Sequence, residues 1–544
     1  MGKQSIESRK DLVSLSCVPY GAGHDREGIS LLLAMGEHRI LLDCGITSFP
    51  FLEQSDHLPL KFIFCSHAHQ DHCRGLLSLH KILPDVPIYT SEITAQLLTL
   101  HWSNSSAESI PLKTFPWRSP QKLGKNLELE LYPAGHLPGA AALSLTYHTK
   151  ERDYKVFYTG DFSLSNFQLV EGLSIEEVRG LEPDVLIIEG SYGAVRHPHR
   201  RQQEKHLMER LGKALAQGKN ILLPVSPLGL GQEILKLLRS HHQFTGKDLD
   251  IWVDPTVTEA CNIYLSLLSQ LPASVQNFAK HQSLFWDERV CPRMSPFSKL
   301  SDISDGKLPC VVMVDYHNSL VEDLVSDWGE WLILLAEKPH DELNYNSFIL
   351  EQVQKSDYLT AETYLLAEHS DGRNTTQLIH NLRPQHIVLV HGSLTYLVEL
   401  ASLEELYNRY QVHAPLSGNL VEFPLGDRFV QPLKSIPAHY EGELNEVGSY
   451  ITMVFPDSIN DDLRWNKFSD TGIIEARWQG NELVLRGVPQ RELLNADKSI
   501  TIRDDLECCN SCLHYRAQRC WNPNSPLYEF KVIAEGYCPV FQRR

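Results

Sequence analysis

The chain has 544 residues, 42% hydrophobic and 22% charged, with a formal net charge of −18 at pH 7. That length predicts roughly two to four domains of ordinary globular composition, and no run of about 18 apolar residues offers a membrane span. The acidic balance argues against a broad nucleic-acid-binding surface while allowing a basic cleft.

The first ten residues lack the apolar core of a secretory signal, so a cytoplasmic protein is expected. Leu12 to Ser16 and Gly28 to Leu33 read as strands around the loop Pro19–Gly28, whose glycines mimic a phosphate cradle only weakly because no helix follows. Arg39 to Asp43 is a third strand, and the series fits one half of a β-sandwich. Asp43, at its end, reads either as a turn residue or as a carboxylate orienting a ligating imidazole. The apolar strand Phe62-Ile63-Phe64 then runs into His67-x-His69-x-Asp71-His72. Histidines two apart in an extended segment project to the same side. The adjacent Asp71-His72 pair must turn the chain and face a neighbouring point, which suits two metal ions better than one. A solvated polar loop is the bland alternative.

The same pattern recurs. Leu127 to Pro133 is an alternating strand leading to His136, and Lys155 to Tyr158 leads to Asp161. Asp184 to Ile188 leads to Glu189, Thr363 to Ala367 to His369, and Gln385 to Val390 to His391. Repetition of metal-binding residue types after strands predicts a site assembled along one sheet edge. Between these, Arg196, Arg200, Arg201 and Lys205 form a basic segment, either a phosphate-backbone contact or a solvated helix start. A helix with Leu207, Leu211 and Leu215 at four-residue spacing stops at Gly218. A strand from Asn220 to Val225 and a helix from Leu228 to Leu238 then open an α/β region reaching about residue 355, whose stretch from about 245 to 350 carries no motif. Ser370 to Thr376 opens a helix whose free N–H groups offer a place for a terminal phosphate.

Twelve cysteines are unevenly spread. Cys17, Cys44, Cys65, Cys73, Cys261, Cys291 and Cys310 read mostly as small core residues. Cys509, Cys512, Cys520 and Cys538 supply four thiolates with one tight pair, suiting a structural zinc or an iron–sulfur cluster, with free thiols as the alternative; Cys508 is a bystander.

In this order, His67, His69, Asp71, His72, His136, Asp161 and His391 resemble the ligands of the metallo-β-lactamase superfamily. The segments Glu189-Gly-Ser-Tyr-Gly, Glu-His369-Ser-Asp and Val-His391-Gly are similar to those of its β-CASP nucleases, the branch of RNase J and of the nuclease subunit of the pre-mRNA 3′-end cleavage machinery. Ala134-Gly-His136-Leu-Pro-Gly-Ala and Tyr158-Thr-Gly-Asp161-Phe-Ser look closer to the 3′-end group, and the likeness covers about residues 15–240 and 357–395. It implies an α/β fold: a metallo-β-lactamase αβ/βα sandwich (1–195 and 356–430) split by a β-CASP domain (196–355), with a small β-rich region (431–500) and a cysteine-rich metal module (501–544) beyond it.

The resemblance further implies two zinc ions, one on His67, His69 and His136, the other on Asp71, His72 and His391, with Asp161 bridging. It assigns His369 as the proton donor to the leaving oxygen and Glu189 as the carboxylate that holds it; Asp71 is counted with this catalytic set. Two zincs about 3.5–4 Å apart can activate one water while clamping phosphate oxygens. A ribonuclease acting on single-stranded RNA in processing or decay is therefore expected, with no membrane partner and with a homodimer admitted. A non-catalytic RNA-binding scaffold and a small-molecule hydrolase of the superfamily are the rivals. Where the branch usually shows a Ser-Pro-Gly-like turn and a glycine-rich segment, this chain has Val-Asp315-Tyr-His-Asn-Ser and Leu-Ala-Glu-Lys-Pro-His340, which leaves exonuclease or endonuclease behaviour open.

Overall fold

A computed structural model describes residues 15–24, 27–53, 59–102, 110–299, 302–303, 308–316, 329–337 and 343–424, and parts of the segment from 443 to 542. The chain divides into two units, Met1–Leu433 and Lys434–Arg544. In the first, the strands in chain order are β1 (Leu15–Ala22), β2 (Ile29–Met35), β3 (His38–Leu42), β4 (Leu60–Phe64), β5 (Ile88–Thr90), β6 (Leu112–Thr114), β7 (Gln121–Lys122), β8 (Leu127–Pro133), β9 (Ala141–His148), β10 (Asp153–Tyr158) and β11 (Val185–Glu189). There follow β12 (Asn220–Val225), β13 (Asp250–Val253), β14 (Arg293–Pro296), β15 (Val311–Asp315), β16 (Trp331–Ala336), β17 (Leu359–Tyr364), β18 (His386–Val390), β19 (Gln411–His413) and β20 (Val421–Glu422).

Two seven-stranded sheets, ordered β20-β1-β2-β3-β4-β5-β6 and β19-β18-β11-β10-β9-β8-β7, share a core. Each begins as an antiparallel meander and continues parallel: β3 pairs with β4 and β10 with β11 in parallel. Alternation sets the layering. Phe62 and Phe64 join Leu131, Leu143, Val156 and Ile187 in the core between the sheets, whereas Ile63 faces the opposite way into a second apolar cluster with Phe157, Leu186 and Ile188. Strands buried on both faces read as continuous apolar runs, which is why Phe62-Ile63-Phe64 shows no polar alternation.

Between β11 and β18 the chain builds a third sheet, six-stranded and all parallel, ordered β14-β13-β15-β12-β16-β17. The motif-free stretch from 245 to 350 supplies four of its strands. One expectation shifts: β1 continues through Pro19 to Ala22, with a register slip between Pro19 and Gly21, where a loop was predicted. A side chain at Gly21 would place Cβ 2.0 Å from the Gly28 carbonyl, so glycine permits this pairing. Residues 12–14 of the predicted first strand lie outside the described residues. Cys17, Cys44, Cys65, Cys73, Cys261 and Cys310 are buried as expected of core residues, and Cys291 is half-buried.

The second unit contains the hairpins Glu443–Val447 with Tyr450–Val454, Ile474–Gln479 with Glu482–Gly487, and Tyr515–Arg516 with Arg519–Cys520. Cys512 and Cys520 are buried there, and the Leu513 N–H donates to the Gln542 carbonyl at 2.7 Å. Cys508, Cys509 and Cys538 lie outside the described residues. Among the described residues, no helix is long and apolar enough to cross a membrane.

Candidate metal centre

Strands β3, β4, β8, β10, β11 and β18 end at one edge of the sandwich, and the chain leaving each carries a polar residue into a common point. The glycine at 45 lets the loops close on each other: a Cβ there would lie 1.6 Å from the Asp71 carbonyl oxygen. The short helix Gln70–Cys73, which starts after His69, supplies the turn expected for Asp71-His72. Asp43 and His391 both adopt left-handed backbone angles, φ 58° and 51°, unusual for residues other than glycine and held here by the surrounding loops.

Two groups of side chains converge. His67 Nε2 and His136 Nε2 lie 3.2 and 3.0 Å from His69 Nδ1, and Asp161 Oδ2 is 3.4 Å from His67 Nε2 and 3.7 Å from His136 Nε2. Beside them, Asp71 Oδ2 is 3.2 Å from His391 Nε2 and 3.9 Å from His72 Nε2, and Asp161 Oδ1 is 3.3 Å from His72 Nε2. Ligands about 2.0–2.2 Å from a tetrahedral zinc stand roughly 3.3 Å from one another. Asp161 thus turns one oxygen to each group. His72 Nε2 and Asp161 Oδ1 are buried and lack a hydrogen-bond partner, a state that costs about 1–3 kcal/mol per group unless a cation satisfies it. The donor set fits a pair of metal ions.

Each imidazole is turned by a partner on its other nitrogen, as ligating histidines usually are. Asp43 Oδ2 accepts from His72 Nδ1 at 2.7 Å, from Ser66 Oγ at 2.7 Å and from Tyr158 Oη at 2.6 Å. Ser66 Oγ in turn accepts from His67 Nδ1 at 3.0 Å. His136 Nδ1 donates to the Glu368 carbonyl at 2.9 Å, and His69 Nε2 to the Leu228 carbonyl at 3.1 Å. These hydrogen bonds place a proton on the far nitrogen, so a neutral ring turns its bare lone pair to the cluster. Of the two readings of Asp43, the structure shows the carboxylate touching the imidazole.

Charge is divided across the site. Burial would raise the Asp161 and Asp71 carboxyls, yet His391, His72 and His67 around the first, and His72 and His391 beside the second, hold both well below the usual range. Burial opposes charge on His72 and His391 too, but Asp161, with Asp43 and Asp71 beside His72 and Asp71 beside His391, lifts both, His391 to about 10. His136 is pushed down to about 3 by burial and by the neighbouring His369 and His69. Burial and the neighbouring His72 push His67 down as well, so in one half of the cluster His67 and His136 prefer neutral rings. The other half holds protons where a divalent ion would serve.

On the rim, His369 Nδ1 lies 2.9 Å from Glu189 Oε2, and Glu189 Oε1 accepts from the Phe162 N–H at 2.6 Å. Burial works against the imidazolium, but Glu189 raises it; burial works against the carboxylate, but His369 lowers it to about 2. Ser370 fixes the loop, its N–H donating to the Phe162 carbonyl at 2.9 Å and its Oγ accepting from the Leu164 N–H at 3.2 Å.

Two sequence expectations change. Arg200 is buried: it donates to the Ala367 carbonyl at 2.6 Å, sits 4.3 Å over the Phe167 ring and lies 3.3 Å from Glu204. It is therefore engaged inside the fold, reaching only the wall of the cleft beside His369, whereas Arg196, Arg201 and Lys205 are exposed. The helix Gly372–Leu382 has its N-terminus capped by Asp371, whose Oδ1 accepts from the Asn374 N–H at 2.9 Å, so a carboxylate stands where a terminal phosphate was expected. Beside His369 a cleft of about 250 Å³ is lined by Ser165, His197, His199, Arg373 and Asn374. The sequence assigned no role to Ser66, Tyr158 or Ser191, although each stands within three residues of a ligand or of Glu189.

Sandwich and cluster together define a metallo-β-lactamase fold. Residues 38–215 match the model of the beta-lactamase superfamily domain. The uncharacterized protein sll0514 of Synechocystis sp. is 46% identical over 98% of this chain and 98% of its own length. The probable RNase MJ4 of Methanocaldococcus jannaschii is 29% identical over 44% of this chain and 59% of its own, and the cleavage and polyadenylation specificity factor 73 of Drosophila melanogaster is 24% identical over 71% and 60%. The matches thus span about three fifths of the length of these last two relatives. The chain belongs to the metallo-β-lactamase superfamily, in its β-CASP branch of nucleases.

Proposed function

We propose that the protein is a two-zinc ribonuclease that hydrolyses phosphodiester bonds of single-stranded RNA. The observation that carries this reading is the meeting of seven residues, from His67 to His391: His67, His69, His136 and Asp161 form one group and Asp71, His72 and His391 another, with Asp161 Oδ1 3.3 Å from His72 Nε2 and with Glu189 and His369 grouped beside Asp161 and His391. One zinc is assigned to His67, His69 and His136 and the other to Asp71, His72 and His391. When bound, the ions supply an activated water and neutralise phosphate charge.

The remaining steps fall to the chain. Asp43, Ser66 and the carbonyls of Leu228 and Glu368 hold the imidazoles in one tautomer. Glu189 holds His369 at Nδ1, so Nε2 is the atom that gives its proton to the departing oxygen, a contribution of about 10²–10⁴-fold. Asp71, whose side chain is 43% exposed, stands at the open side where the scissile phosphate enters. Arg196, Arg201 and Lys205 are the proposed backbone contacts. Included in the same proposal are a cytoplasmic site of action, the domain division at 195, 355, 430 and 500, and a metal held by Cys509, Cys512, Cys520 and Cys538.

The test is cleavage of 5′-triphosphate, 5′-monophosphate and circular RNA by the full chain, with and without chelator, alongside metal analysis. Chelator-sensitive cleavage with two zincs at the histidine–aspartate cluster is expected, and cutting of the circle identifies endonuclease action. RNA binding without cleavage by the metal-loaded chain would replace the reading with a scaffold, and hydrolysis of thioesters alone with a small-molecule hydrolase. Metal analysis of a chain ending at residue 500 separates the cysteine-bound metal from the pair.

A further inference from the structure

Ser191 follows Glu189 by two residues on the turn after β11 and has no exposed surface. Its hydroxyl touches two functional groups at once. Glu189, ionised, only accepts, so Ser191 donates to Glu189 Oε2. The hydroxyl oxygen then faces His391 Nδ1 at 2.9 Å and accepts from it. Glu189 itself does not reach the ring, its nearest oxygen being 3.7 Å from His391 Nδ1, and Asp161 Oδ1, the oxygen turned to His72, is 3.3 Å from that nitrogen. At the other end of the ring, Nε2 faces Asp71 Oδ2 at 3.2 Å. The same Glu189 Oε2 lies 2.9 Å from His369 Nδ1.

We propose that Ser191 is a positioning residue of the centre: its hydroxyl fixes His391 in the tautomer with the proton on Nδ1, presents Nε2 to the ion held by Asp71 and His72, and joins that ligand to the carboxylate that holds His369. The inference rests on the two-zinc reading above. The arrangement follows from donor and acceptor types, because a carboxylate at one end and a ligating lone pair at the other leave the serine proton one direction. His391 sits on a left-handed backbone, and its Nδ1 has Ser191 Oγ at 2.9 Å and, farther off, Asp161 Oδ1 at 3.3 Å.

The full chain, its Ser191→Ala and its Ser191→Thr forms are titrated with zinc against a chelator of known affinity. In Ser191→Ala one zinc is expected to bind about 10–100-fold more weakly, as when an orienting partner of a ligand is lost, while the zinc on His67, His69 and His136 keeps its affinity. Ser191→Thr, which retains the hydroxyl, is expected to restore the loss. Unchanged affinities for both ions in Ser191→Ala overturn the proposal. A wild-type chain that binds no zinc overturns the two-zinc reading and the inference with it. Should Ser191→Ala fail to fold, the crystal structure of the zinc-loaded wild type decides: zinc on His391 Nε2 with Ser191 Oγ against Nδ1 supports the proposal, and zinc on Nδ1 overturns it.

Discussion

Asp43 Oδ2 accepts the Nδ1 proton of His72 at 2.7 Å, and neither side chain has any exposed surface. Because that oxygen also receives Ser66 and Tyr158, a single carboxylate governs the aim of two imidazoles. Asp43→Asn keeps the volume but removes the charge and offers an amide hydrogen in place of one acceptor. Zinc affinity at the His72 side is expected to fall about 10–100-fold. Equal chelator competition curves for the variant and the wild type would refute this account of Asp43.

Removal of the proposed proton donor has a different signature. His369→Ala is expected to retain both zincs, since it is not among the seven proposed ligands, and to lose about 10²–10⁴-fold in turnover on RNA. Glu189→Gln is expected to lose less with a good leaving group than with an ordinary ribose oxygen. Turnover of His369→Ala equal to wild type would remove it from the chemistry.

Metal binding should displace protons. His72 and His391 are both raised by neighbouring carboxylates, His391 to about 10, so at neutral pH the metal-free chain holds a proton on each. Zinc needs bare nitrogens, and loading at pH 7 is expected to release roughly two protons per chain, read with an indicator dye in weak buffer. Affinity accordingly falls as pH falls. In the metal-free chain the contribution of His391 to stability is fully present below its unfolded value near 6.5 and is lost as pH rises towards about 10. That of Asp161, whose carboxyl is depressed, is present above about 3.9 and lost on acidification. Zinc uptake with no proton release would show that the rings are already neutral.

Gly45→Ala places a methyl group 1.6 Å from the Asp71 carbonyl oxygen. The loop bearing Asp71 and His72 must move, at a cost of about 1–3 kcal/mol as for other overpacked sites. Thermal unfolding at lower temperature together with loss of one zinc is the expected result, and an unchanged midpoint with full metal content would contradict the close approach.

How much was legible follows from where each ligand sits. His67, His136, Asp161, Glu189 and His391 each come a few residues after an apolar strand, and strands running in parallel deliver their ends to one edge, so the sequence pattern carries the convergence. The orienting carbonyls of Leu228 and Glu368 were invisible, because every residue has a carbonyl and only the fold selects two. The burial of Arg200 was not legible from its basic neighbours: its guanidinium stacks on Phe167 and meets Ala367 and Glu204, contacts that depend largely on chain far away. The strands Asp250–Val253, Val311–Asp315 and Trp331–Ala336 carry four to six residues each and are mostly buried. Such short runs lack the alternation that marks a half-exposed strand, so the inserted sheet showed a signal only at its first strand and at its last, read from Thr363 to Ala367 where the strand runs Leu359–Tyr364.

His69 owes its orientation to the carbonyl of Leu228, which belongs to the inserted region and not to the sandwich. A smaller chain made by excising that region would keep all seven side chains and still aim one of them wrongly. Anyone transplanting this centre to a minimal scaffold must therefore rebuild a single backbone oxygen at that place, a requirement that no catalogue of catalytic residues would reveal.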